Sequence, residues 1–119
     1  MKKNFIICLD IDNTICKTIG RNYSKAKPNV KAIKVINELY DNGNYIKIFT
    51  SRYMGRNKEN VKKVYKFGYK KTERQLKKWN LKFHELIMGK PSFDVLIDDR
   101  GFGFKKDWYK KLKNNLKKY

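Results

Sequence analysis

Residues 5–14, FIICLDIDNT, constrain the fold more than any other stretch. Five apolar residues, Phe5 to Leu9, run without a break and stop at Asp10. A short run that is apolar throughout predicts a strand buried on both faces, as in a parallel sheet. Cys8 inside it reads as an ordinary small buried thiol. Open α/β sheets place their chemistry at the C-terminal ends of their strands. Asp10 and Asp12 therefore fall at the edge where an active site is expected. An aspartate beside a turn also serves as a helix cap or Asx-turn, so this pair needs support from the rest of the chain.

That support is periodic. A polar stretch with Gly20, Asn22, Ser24 and Pro28 reads as a loop or small hairpin. Val30, Ile33, Ile36, Leu39 and Tyr40 recur at helical spacing, and Gly43 stops that helix. Tyr45 to Phe49 predicts a second strand, ending at Thr50-Ser51-Arg52. Strand, helix and strand form one right-handed, parallel βαβ unit. A helix over about 59–67 is closed by Gly68. Thr72 and Gln75 fit a capping box that opens another helix, running to Trp79 or Asn80. Glu85 to Met88 predicts a third strand, followed by Gly89-Lys90-Pro91. Phe93 to Ile97 predicts a fourth, followed by Asp98-Asp99. Asp107 to Tyr119 predicts a closing helix with Trp108, Leu112 and Leu116 on one side.

In 119 residues there is room for one domain. No apolar run is long enough for a signal-peptide core or a membrane span. Cys8 and Cys16 form no CxxC pair, so neither zinc nor a redox motif is indicated. A cytoplasmic protein is the expectation. The formal charge of +19 invites an anionic partner such as nucleic acid. Yet Lys outnumbers Arg 25 to 5, a bias that an AT-rich genome produces without selection for binding.

The expected strand ends carry Asp10 with Asp12, Thr50 with Ser51, Lys90, and Asp98 with Asp99. In a parallel sheet these ends share one edge. Of seven aspartates in the chain, four fall in these two pairs. Carboxylates gathered in this way repel one another unless a cation neutralises them, and oxygen donors favour a hard cation, Mg2+ above all. A lysine and a hydroxyl at the same edge suit a phosphoryl group, whose transition state spreads negative charge over its oxygens.

In order, LDIDNT, IFTSR, GKP and LIDDR resemble the four motifs of the haloacid dehalogenase superfamily of phosphatases, over almost the whole chain. The resemblance implies a single-domain, Rossmann-like α/β fold with a parallel sheet in strand order 3-2-1-4. It makes Asp10 the nucleophile and Asp12 the acid and base, with the Asp12 carbonyl on the metal. Thr14 would brace the turn. Asn13 stands where the family commonly has glycine, and asparagine tolerates the same left-handed backbone. Thr50 and the Ser51 N–H would bind phosphate oxygens, and Lys90 would offset their charge. Asp99 would ligate Mg2+, with Asp98 binding directly or through water. Arg52 and Arg56 flank the phosphate site, and Arg52 is a candidate to read substrate. His84 has no cluster of partners and reads as structural. Trp79 and Trp108 read as core.

The intervals between the motifs are filled by ordinary elements, leaving no cap domain. An open site serves a large substrate, or a small one covered by a neighbouring subunit, so a homo-oligomer is possible. TSRYMGR, TERQLKKWNL and LIMGKPSFDVLIDDR also resemble a subgroup tied to capsule and surface-polysaccharide synthesis. The expected activity is Mg2+-dependent hydrolysis of a small phosphorylated metabolite such as a sugar phosphate. One alternative is a nucleic-acid 3′-end phosphatase. The other is a basic nucleic-acid-binding protein with a vestigial site.

Overall fold

A computed structural model describes residues 4–116 and 119. Three strands form a parallel sheet: β1 (Ile6–Leu9), β4 (Tyr45–Phe49) and β5 (Glu85–Ile87), in the order β1-β4-β5. The expected first three strands are thus all present, each beside its expected neighbour. A small antiparallel hairpin, β2 (Cys16–Lys17) with β3 (Lys27–Pro28), fills the loop after the first motif. A 3-10 turn at Tyr23–Lys25 lies within it.

Helix α1 (Val30–Asp41) begins where the Asn29 side chain accepts the Ala32 N–H at 3.1 Å, a standard N-cap. It ends at Asn42 and Gly43, the latter with φ 95°. Helix α2 (Val61–Lys78) is capped in the same way by Asn60. Helix α3 (Trp108–Asn115) closes the described chain and lies against α1. Residues 117 and 118, in the last turn of the expected closing helix, lie outside the described residues.

Both crossovers step the same way across the sheet, so their right-handedness sets α1 and α2 on one face. That face is dry. Ile7, Leu9, Ile46, Ile48 and Leu86 align through the strand register and are all buried there. They join Ile33, Ile36 and Leu39 of α1 and Val64 and Leu76 of α2 in one core.

Three expectations need correction. First, α2 is a single helix through Gly68 and Thr72, with no break and no capping box. Gly68 is there because the Tyr53 ring lies on the helix: an added Cβ would come 2.3 Å from Tyr53 Cδ2. Second, β1 is buried on one face only. Ile6 is 71% exposed and Cys8 is also exposed. Third, Phe93–Ile97 is not a strand of the sheet, and every residue from 91 to 101 is open to solvent. The reason is length. Only residues 88–92 separate β5 from Phe93, whereas a parallel crossover needs about a dozen residues. The same shortage removes the helix that would have covered the second face of the sheet.

Candidate active site

Asp10 follows the last residue of β1 and is half-buried. Lys90, beyond β5, brings its Nζ to 3.6 Å from Asp10 Oδ1. The two loops that carry these motifs are tied together: Thr50 N–H donates to the Ile87 carbonyl at 3.0 Å, and Lys90 N–H donates to the Thr50 carbonyl at 3.1 Å. Thr50 is fully buried, and its Oγ1 accepts the Arg52 N–H at 3.1 Å. Its own hydroxyl proton is left to donate. Ser51 is half-buried beside it. Burial pushes the Asp10 carboxyl above its ordinary value, and the opposing pull of Lys90 does not cancel that effect.

Asp12 lies two residues further on and is gripped from several sides. Arg52 Nε donates to Oδ2 at 2.9 Å and Arg52 Nη2 to Oδ1 at 2.9 Å, a bidentate pair. Thr18 Oγ1 donates to Oδ1 at 2.6 Å. Arg52 Nη1 donates to Gln75 Oε1 at 2.6 Å, and Gln75 Nε2 donates to the Tyr23 carbonyl at 2.7 Å. The guanidinium carbon also sits 4.9 Å from the centre of the Tyr23 ring. The hairpin loop, α2 and Asp12 are thereby joined through one side chain.

The turn between the two aspartates and the hairpin is built locally. Asn13 takes φ 59°, and its Oδ1 accepts the Thr18 N–H at 3.0 Å. Thr14 N–H and Ile15 N–H both return to the Ile11 carbonyl. The Thr14 carbonyl accepts Trp108 Nε1–H at 3.2 Å, which pins the turn to α3. Burial raises the Cys16 thiol, opposed by its hydrogen bond with Thr18. An open cavity of about 290 Å³ borders this turn and includes Phe104 and Lys106, but none of Asp10, Asp12, Thr50 or Lys90 lines it.

Asp10, Asp12, Thr50, Ser51 and Lys90 thus meet at the C-terminal edge of the sheet. Arg52 meets them too, but in another capacity than the sequence suggested. It is only 2% exposed and its donors are committed to Asp12 and Gln75, so it holds Asp12 rather than facing substrate. Arg56 is exposed and rests over Tyr53, 5.2 Å from its centroid. Asp98 and Asp99 do not join the edge. Both are exposed, and Asp98 Oδ1 accepts the Arg100 N–H at 2.9 Å within its own turn. Among the described residues, no three His, Cys, Asp or Glu side chains are placed to share a metal ion. The donor set expected for Mg2+ is therefore not assembled within one chain. Gln75, Thr18 and Tyr23 were not read from the sequence. Gln75 was seen only as half of a capping box, and no local pattern could link it to a carbonyl 52 residues earlier.

His84 is held between Tyr40 and Tyr45, with ring centres 4.4 and 4.3 Å away, and its Nδ1 accepts the Ile46 N–H. It immediately precedes β5, at the opposite end of that strand from Lys90.

These features define an α/β protein with a three-stranded parallel sheet and an acid–lysine cluster at its C-terminal edge. No family model matches the chain, and no curated protein matches it either. It is similar to a protein of Vibrio cholerae solved by crystallography, with a TM-score of 0.82 and 24% identity, over 98% of this chain and 93% of that one. The two share a fold. No helix among the described residues of this chain is long and apolar enough to cross a membrane.

Proposed function

We propose that this protein is a phosphomonoester hydrolase of the haloacid dehalogenase type, acting on a small phosphorylated metabolite such as a sugar phosphate. The observation that carries the reading is the Asp10–Lys90 pair at 3.6 Å, with the Thr50 loop bonded to the Lys90 loop beside it. An ionised Asp10 oxygen attacks phosphorus as the ester oxygen leaves, forming an aspartyl-phosphate. Asp12 gives a proton to the leaving oxygen, then takes one from the water that cleaves the acyl-phosphate. Lys90 offsets charge on the phosphoryl oxygens, and the Thr50 hydroxyl with the Ser51 N–H orients them. Arg52 keeps Asp12 in one orientation. Mg2+ is the proposed cofactor, supplying charge neutralisation through Asp10, the Asp12 carbonyl, Asp98 and Asp99 once that set is brought together.

The test is Asp10→Asn. Turnover of phosphate esters should be lost while the far-ultraviolet circular dichroism is unchanged. The same variant has a stability signature. Because burial raises the Asp10 carboxyl, the folded chain holds that proton more tightly than the unfolded chain does. Ionised Asp10 therefore costs stability as pH rises through the window above its ordinary value of 3.8. In EDTA at pH 7 the Asn variant should melt higher than wild type, and the difference should vanish below the ordinary aspartate range. Wild-type turnover in Asp10→Asn would overturn the reading.

A further inference from the structure

We propose that Phe93–Ile97 is exchanged between two copies of this chain, each copy laying it beside the partner's β1 as a fourth parallel strand. The exchange would deliver Asp98 and Asp99 to the partner's Asp10; this second part rests on the phosphatase reading above.

Four observations converge. The segment FDVLI has the composition of a buried strand, yet Val95 is 75% and Ile97 93% exposed. At the other side, β1 is the edge of the parallel sheet among the described residues, and an open strand edge is a template for another strand. Ile6, at 71% exposed, flanks that edge. Parallel sheets covered on only one face are rare, and this one lacks the cover that a crossover helix would give.

The segment cannot fill the vacancy in its own chain. Reaching the far side of β1 from β5 means crossing three strand spacings, about 14 Å, and returning the length of a strand, about 16 Å. The straight diagonal is about 21 Å, which residues 88–92 reach only when fully extended and with no detour around the helices. They have no such freedom. Lys90 N–H is bonded to the Thr50 carbonyl, and Ser92 N–H and Oγ donate to the Glu59 carboxylate at 3.0 and 3.2 Å. An antiparallel approach within the chain is shorter, but it would carry Asp98 and Asp99 to the edge opposite Asp10. Only a strand arriving from a second copy satisfies the β1 edge, buries the apolar segment and places both acidic residues at the C-terminal edge.

The experiment has two arms. In the first, light scattering at micromolar concentration should give twice the 14.3 kDa chain mass. Inserting about 15 Gly/Ser residues after Pro91 supplies the missing crossover, lets the strand close on its own chain, and should yield a monomer. A monomeric wild type, or an insertion variant that stays dimeric, overturns the exchange. In the second arm, Asp10→Asn and Asp99→Asn chains, each inactive alone, are unfolded together and refolded as a mixture. Half the dimers are then mixed, and each mixed dimer has one intact site in two, so activity should return to about a quarter of wild type. No recovery, with wild type active, overturns the shared site. Should wild type hydrolyse no ester, the phosphatase reading fails, and the mass arm alone decides the exchange.

Discussion

Removing the Arg52 guanidinium strands two acceptors, Asp12 Oδ2 and Gln75 Oε1, and leaves Asp12 Oδ1 to the Thr18 hydroxyl. Asp12, its side chain 20% exposed, is then left without its cationic partner. Breaking such a pair from one side costs about 3 kcal/mol. Arg52→Met should lower the free energy of unfolding by that order in urea titrations at neutral pH. Arg52→Lys should recover only part of it, because an ammonium cannot make the planar two-point contact. At this scale Asp10, Asp12, Thr50 and Lys90 were legible because each follows an apolar run that had to be a strand. The task of Arg52 was not, since its partners lie 40 and 23 residues away and no spacing rule joins them.

Within α2, Gly68 reverses the usual rule for a helix interior. Alanine there gains about 1 kcal/mol of helix propensity. The added methyl, however, would meet Tyr53 Cδ2 at 2.3 Å and Cε2 at 2.7 Å. Tyr53 has little room to yield, since it holds φ 68° and its ring stands edge-on to Tyr23 at 5.0 Å. Overpacking of this kind costs about 1–3 kcal/mol, so Gly68→Ala should lower Tm despite its propensity. An increase would show that the ring swings aside freely. The same contact explains the misread boundary. A glycine followed by a Thr-x-x-Gln pattern looks like one helix ending and another beginning, whereas the glycine marks a ring on the helix and Thr72 is buried inside it. Helix α1 was legible because its apolar stripe, its Asn29 cap and its terminal Gly43 all agree.

For the whole molecule, the formal charge of +19 sets a contrast between two substrates. A small phosphate ester meets few of the lysines, and its kcat/KM should change little between roughly 50 and 200 mM salt. An oligonucleotide that used many of them would lose affinity steeply over the same range. Steep salt dependence, with a 3′-phosphorylated oligonucleotide outcompeting every small ester, would reassign the substrate. The parallel three-stranded sheet was legible at this scale from the order of apolar runs. The fourth strand was misplaced because pattern alone does not measure the connection, and five residues cannot make a parallel crossover.

The bonds around Asp12 close long loops: 40 residues to Arg52, and 52 between Gln75 and Tyr23. Ordering loops of that length costs entropy before any bond repays it. The helices, whose contacts are local, are expected to form first, with the buried ion pair among the late contacts. A contact absent from the transition state leaves the folding rate nearly unchanged and slows unfolding. The Arg52 network is thus a latch on the lifetime of a folded copy, setting how long the hairpin loop stays shut over Asp12 rather than how quickly it first closes.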